Sequence, residues 1–285
     1  MISVIQLGNI DYATGLRLQQ RLVELRKDSR IGDVLVLLEH SPVITLGRNA
    51  KRANVIASPE LLAERGVELF ECDRGGDVTF HGPGQLVGYP IFDLRGMNSG
   101  DGNRRTLGAV EYIRRLEKVL VRTCADFGIS TKRTSGLTGV WTATTFSSRA
   151  EAAEADDSFT NHLPKSKQPL SQQEAKIAAI GVHISRAVTS HGFALNVNTN
   201  LDYFELIVPC GIKSKSVTSM AKALGRELSL QDVAHSVSRN FGVVFQSQML
   251  WLEDLDSLFR TSIGVPLEVP SELRQIHKEE DAPWA

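Results

Sequence analysis

Cysteine is scarce in this chain: Cys72, Cys124 and Cys210 are the only three among 285 residues. A small, odd number cannot build a disulfide framework. It points to a reducing compartment and leaves each thiol to be read as core, metal ligand or nucleophile. Long apolar runs are missing too. The densest stretch, Val34 to Leu38, is strand-sized, far short of the roughly 18 residues that span a bilayer. Neither sign of charge is in excess, since 32 basic residues face 33 acidic ones, and the basic surplus of a nucleic-acid binder is absent. The opening Met1-Ile2-Ser3-Val4-Ile5-Gln6-Leu7 reads as a strand and has neither the look of a secretory signal nor of a transit peptide. No internal repeat is visible. The glycine-rich segments lack both the Gly-Lys-Ser/Thr ending of a Walker loop and the GxGxxG spacing, so chemistry on nucleotide phosphates is not indicated.

What is present is ordinary for a globular protein, with 42% hydrophobic and 23% charged residues. Strands and helices alternate. Val4 to Leu7 reads as an edge strand. Tyr12 to Lys27, with Leu18, Leu22 and Leu25, reads as an amphipathic helix. Val34 to Glu39 reads as a buried strand closed by Ser41-Pro42. Ser58-Pro59-Glu60 has serine where an N-cap belongs and proline at the first helical position. Glu68 to Glu71, Val78 to Phe80 and Gln85 to Phe92 are three short strands. Thr106 to Phe127 is a helix with an apolar stripe through Leu107, Val110, Ile113, Leu120, Cys124 and Phe127, stopped by Gly128. Gly139 to Ala143, Ile177 to Ile184 and Gly192 to Val197 are strands; Leu230 to Phe245 and Trp251 to Phe259 read as helices. The expected fold class is α/β (α+β), a mixed sheet with flanking helices forming one catalytic domain over residues 1–260. Residues 144–174, rich in Ser, Ala, Asp, Glu, Pro and Gln, read as a surface insertion, and 261–285 as a C-terminal tail.

The three thiols differ in setting. Cys124 lies on a helix stripe and reads as a small buried hydrophobe. Cys72 is flanked by Glu71 and Asp73, which oppose a thiolate. Cys210, in Ile207-Val208-Pro209-Cys210-Gly211-Ile212, sits at a turn with Lys213 and Lys215 close behind, which would favour one. Two glycine clusters add context. In Arg74-Gly75-Gly76-Asp77-Val78-Thr79-Phe80-His81-Gly82-Pro83-Gly84-Gln85, residues without a Cβ let a ligand approach the backbone; two tight turns between strands explain the same pattern. In Lys176 to Gly181 and His191 to Asn196, small residues alternate with large ones. One face of such strands can leave a slot for a thin alkyl chain; close packing of two strands is the plainer explanation.

Taken in order, these segments resemble the lipoyl(octanoyl) transferases. The resemblance rests on Arg74 to Gln85 followed by Tyr89-Pro90, on Lys176 ahead of Ile180-Gly181, on His191 to Asn196, and on Pro209-Cys210-Gly211 trailed by Val217-Thr218-Ser219. Each motif is short, but four in order are specific. The resemblance as a whole runs from about residue 3 to 247.

The resemblance implies a catalytic domain like that of biotin and lipoate protein ligases. It implies transfer of octanoyl from octanoyl-acyl carrier protein to a lysine of a lipoyl domain, such as glycine cleavage H protein or a dehydrogenase E2 subunit. Cys210 is then the acyl-thioester nucleophile and Lys176 the residue that lowers its pKa. Arg74, Gly75, Gly76, Asp77, Val78, Thr79, Phe80, His81, Ala179, Ile180, Gly181, Gly192, Phe193 and Ala194 are the expected substrate lining. No metal and no cofactor are expected, because the acyl group arrives on the carrier's phosphopantetheine and no ATP is spent. The partners are proteins, with no nucleic acid and no membrane, and the chain is expected to be a monomer. Insertion, tail and Phe80 (where tyrosine is common) depart from the compact bacterial pattern. The insertion reads as a eukaryotic elaboration and suggests mitochondria, with the cytoplasm as the alternative. Acidic partners would meet a basic rim, for which Arg48, Lys51 and Arg52 are one candidate patch and Lys213 with Lys215 another. Rival readings are an ATP-dependent lipoate or biotin ligase, an amidotransferase moving octanoyl between protein domains, a non-catalytic carrier-binding module and a cysteine hydrolase.

Overall fold

The structure is a computed structural model; it describes residues 1–98, 104–143, 174–208 and 216–260. In chain order the strands are β1 Ile2–Ile10, β2 Asp33–His40, β3 Val43–Leu46, β4 Glu68–Glu71, β5 Val78–His81, β6 Gln85–Ile91, β7 Met97–Asn98, β8 Arg104–Arg105, β9 Thr131–Thr134, β10 Leu137–Ala143, β11 Glu174–Ser185, β12 Val188–Asn196, β13 Ser216–Val217 and β14 Met249–Leu252. The helices are α1 Tyr12–Lys27, α2 Pro59–Glu64, α3 Ala109–Asp126, α4 Met220–Leu224, α5 Leu230–Phe245 and α6 Leu255–Arg260.

Among the described residues the main sheet runs β14-β1-β2-β6-β12-β11-β10-β9, with β13 paired to β11. It is mixed: β1 pairs parallel with β14 and β2, while β2 to β6, β6 to β12 and β12 to β11 are antiparallel. β2 shows why its sequence is apolar without alternation. Leu35 and Leu37 face one core with α3 and α5, while Val34, Val36 and Leu38 face a second core under α1. A strand covered on both faces reads as a continuous apolar run. A smaller sheet, β4-β3-β5, stacks its own core of Ile44, Leu46, Val78 and Phe80 on Leu206 and Ile207.

Local signals explain the helix ends. Asp11 caps α1 by accepting from the Thr14 N–H at 2.8 Å, and Ser58 caps α2 by accepting from Leu61 N–H. Gly108 leads α3 without a side-chain cap, so Val110 falls in the first turn and is exposed rather than on the buried stripe.

Two further expectations need correction. β1 is an interior strand, because β14 covers the side that sequence leaves open. β14 is the stretch Met249–Leu252, so the helix expected from Trp251 begins only at Leu255, as α6. The insertion 144–174, apart from Glu174 at the head of β11, and the tail 261–285 lie outside the described residues.

Candidate functional site

A cleft of about 360 Å³ opens between the main sheet and the small sheet. That volume is in the range of small-ligand pockets. Its floor comes from β11 and β12, where the register sets Ala179 opposite Ala194 and Gly181 opposite Gly192. The small residues of the two strands are therefore directly paired, with Val87 of β6 beside Ala194. Both glycines are close-approach positions. A Cβ on Gly181 would stand 2.6 Å from the Gly75 carbonyl oxygen, and one on Gly192 would collide with the Gly88 carbonyl oxygen.

The opposite wall is the segment 74–79, and the fold clamps it. Gly75 N–H donates to Val182 O at 3.0 Å, and the Arg48 and Asn49 N–H groups donate to Arg74 O and Gly76 O at 3.0 and 3.1 Å. The Asp77 carboxylate accepts from Lys51 N–H, Val78 N–H and the Asn54 side chain, the last at 2.6 Å. Arg74 is buried. Its Nε donates to Thr45 Oγ1 at 3.1 Å, its Nη2 to Thr45 O at 2.6 Å and to Thr45 Oγ1 at 2.8 Å, and its Nη1 to Gly75 O at 3.1 Å. Among the described residues it has no carboxylate in contact.

Lys176 also lines the cleft. It is 9% exposed, with Nζ 4.7 Å from the centre of the buried Trp141 ring. A cation over an indole face gains electrostatic stabilisation, which offsets part of the cost of burying the ammonium.

Two histidines, His81 and His191, line the cleft, and His40 packs behind His81. His81 accepts at one ring nitrogen from Thr45 and lies against Gln85 at the other. Burial, with the Arg74 guanidinium and a second titratable ring, His40, near, pushes His81 down to about 3. It is neutral near pH 7. His40 is held by Ile10 O at 2.8 Å and the Tyr89 hydroxyl at 2.5 Å, and burial lowers it to about 4. Burial also lowers His191, against the pull of Asp73, whose carboxylate is 2.7 Å away.

The structure thus gathers Arg74, Gly75, Gly76, Asp77, Val78, Thr79, His81, Lys176, Ala179, Ile180, Gly181, Gly192, Phe193 and Ala194 around one cleft. Phe80 is not among the lining residues. Alternation on β5 turns it into the small sheet's core, stacked 4.7 Å from Tyr203. Cys210 lies outside the described residues. The chain is placed on either side of it: Val208 N–H donates to Asn54 O at 2.7 Å, and β13 returns beside β11 with Val217 paired to Lys176. The other thiols are as their sequence settings suggest. Cys124 is fully buried and its thiol is pushed up to about 12 by that burial; half-buried Cys72 donates to Leu46 O. Sequence reasoning missed Tyr12, Tyr89 and His191 as lining residues. Tyr12 carries no local signal, since a helix start 60 residues upstream reaches the cleft only through tertiary packing. His191 opens a motif already singled out and was legible there.

Residues 11–242 match the lipoyl protein ligase A/B catalytic domain. An octanoyltransferase of Koribacter versatilis is 55% identical over 98% of both chains, and one of Acidobacterium capsulatum is 54% identical over 89% of this chain and 94% of its own. Among solved structures, a bipartite lipoate protein ligase from Thermoplasma acidophilum superposes with a TM-score of 0.60 at 13% identity, covering 97% of this chain and 90% of the other. Lipoate-protein ligase A bound with ATP gives 0.59 at 13%, covering 98% and 94%. These two carry the fold alone, and they bear out the mixed-sheet, biotin/lipoate protein ligase-like expectation. The relatives are bacterial, and the Koribacter match spans almost the whole length. The eukaryotic reading of the insertion and the mitochondrial expectation therefore find no support.

Proposed function

We infer the reaction from the premise that the chain belongs to the octanoyltransferase family: octanoyl passes from octanoyl-acyl carrier protein to a lysine of a lipoyl domain, by way of a thioester on Cys210. The family membership fixes the transferred group. The observation that carries the residue assignment is the pairing of β13 with Lys176, because it brings the segment after Cys210 back to that lysine.

In the first half-reaction the Cys210 thiolate attacks the carrier thioester carbon. A C–S bond forms to Cys210 as the bond from the acyl carbon to the phosphopantetheine sulfur breaks, and that sulfur leaves as thiolate and takes its proton from Lys176, which becomes neutral. One thioester replaces another, so the exchange is close to thermoneutral and no ATP is consumed. A free cysteine with pKa near 8.5 is only a few per cent thiolate at neutral pH. An ammonium in contact favours the thiolate, and that is the role assigned to Lys176. In the second half-reaction a neutral lysine amine of the lipoyl domain attacks the acyl carbon. The amide bond forms, Cys210 leaves as thiolate, and the amine's surplus proton passes to Lys176 once it is neutral. The paired small residues of β11 and β12 give the acyl chain its slot. Arg74 supports the reading as a fixed cation in the same cleft as Lys176, available to the negative charge that develops on an acyl carbonyl.

Intact mass spectrometry after mixing with octanoyl-acyl carrier protein tests this. Wild type acquires one octanoyl group and Cys210→Ala acquires none; an adduct that persists in the variant refutes the assignment. Free octanoate with ATP yields no product if the thioester route is right, and product formation would favour the ATP-dependent ligase. The same proposal includes a single catalytic domain over residues 1–260, action as a monomer, and work in the bacterial cytoplasm. Sedimentation of the active species tests the monomer.

A further inference from the structure

A chain of buried hydrogen bonds runs behind the cleft, and its direction can be read. The Thr218 carbonyl can only accept, so the Asn196 atom 2.9 Å from it is the amide nitrogen, donating. The other end of that amide, Oδ1, accepts from Gln85 Nε2 at 2.8 Å. Gln85 Nε2 also donates to the Phe80 carbonyl at 3.2 Å, which fixes its orientation independently. Gln85 Oε1 must then accept, so His81 carries its proton on Nδ1, 2.8 Å away. His81 Nε2 is left as an acceptor for the Thr45 hydroxyl at 3.4 Å, and that hydroxyl oxygen accepts in turn from Arg74.

Every donor points the same way, from the guanidinium in the cleft to the Thr218 carbonyl. Such chains polarise in a consistent sense. Thr45, Gln85 and Asn196 are all nearly inaccessible. Thr218, where the chain ends, donates its own N–H to the Lys176 carbonyl at 2.9 Å. Asn196, Gln85, Val217 and Lys176 also line one small cavity of about 10 Å³, room for about one water. So the strand that follows Cys210 is held on two sides: by Lys176 through the backbone, and by Asn196 through its side chain.

We propose that Asn196, supported by Gln85, is a positioning residue that holds the Val217-Thr218 stretch beside Lys176 and thereby tunes the chemistry assigned to Cys210. It acts through the Thr218 carbonyl. The inference rests on the Cys210 and Lys176 reading given above. Displacement of reacting groups by about 1 Å costs on the order of a hundredfold in rate.

Asn196→Leu removes the donor without adding charge, and Gln85→Met removes the support behind it. Two readouts separate positioning from stability: the rate of octanoyl-adduct formation on Cys210, and the pH profile of its alkylation by iodoacetamide, followed on the Cys210 peptide. We expect acylation to slow by about 10- to 100-fold in Asn196→Leu, and the alkylation profile to move up toward the free-thiol value near 8.5. Gln85→Met shifts both in the same direction by less, and serves alone if Asn196→Leu does not fold. A folded variant whose melting temperature falls while its alkylation profile stays at wild type overturns the inference, because the role is then structural only. If wild-type Cys210 takes no octanoyl, the reading of the site fails instead, whatever Asn196 does.

Discussion

The buried histidines have a consequence for stability. His40 and His81 are held down to about 4 and about 3 by burial, against about 6.5 in an unfolded chain. Their folded values are depressed, so above pH 6.5 both states are neutral and no differential exists. Below it the unfolded chain binds protons that the folded one refuses. Stability is then lost as pH falls toward the folded values, by about 1.4 kcal/mol per pH unit for each fully engaged group. Burial raises Asp33 and Glu39, which respond in the opposite sense and offset part of the loss. Urea melts should show falling stability between about pH 6.5 and about pH 4.5. His81→Gln should remove about one group's share of that slope. A midpoint flat across the window contradicts the account. Lys176→Met belongs at the same scale. It should slow both half-reactions by on the order of a hundredfold while the fold persists, and single-turnover kinetics with octanoyl-acyl carrier protein would measure it. Normal turnover excludes the lysine from the proton path.

Helix α1 shows how elements outweigh local preference. Gly15 is the fourth residue of α1, in its first full turn, where alanine would be favoured by up to about 1 kcal/mol. A Cβ there would stand 2.8 Å from His40 Cε1. That ring cannot swing away, since Ile10 O and the Tyr89 hydroxyl hold both of its nitrogens. Overpacking a core costs about 1–3 kcal/mol, so Gly15→Ala should destabilise by about 1 kcal/mol despite its better propensity. A thermal melt checks the sign, and a more stable variant would show that β2 yields. The same competition decides which elements were legible. α1, α5 and β4 follow from periodicity and caps because local signal and tertiary demand agree there. β14 did not, because Met249–Leu252 has no alternation and becomes a strand only by pairing with β1. β3 and β13 were missed for the same reason, since each is defined by its partner and not by its own four or two residues. In the site, glycines and charged residues at turns were legible as a lining. Phe80 was not, because only the position of the small sheet says which side of β5 faces the cleft.

At the scale of the molecule, a nearly neutral chain that docks partners expected to be acidic has to do with local charge what net charge does not. Arg48, Lys51 and Arg52 are exposed on the loop between β3 and α2. That loop is the cleft's rim: Asn49 lines the cleft, and Lys51 N–H and Asn54 are anchored on Asp77. Arg48 also donates to His183 at 2.8 Å, which fixes it in place. Lys51 joins that clamp through its backbone N–H alone, so its side chain and that of Arg52 can be changed without removing the bond to Asp77. Exposed charges at a rim steer encounter more than they bind. Reversing both, Lys51→Glu with Arg52→Glu, should raise KM for octanoyl-acyl carrier protein roughly tenfold and leave kcat within about twofold. The difference from wild type should shrink as salt shortens the screening length from about 10 Å toward about 3 Å. Steady-state kinetics across ionic strength read both effects. A KM that rises equally at high salt means the loop acts by shape, and an unchanged KM at low salt sends the docking surface elsewhere.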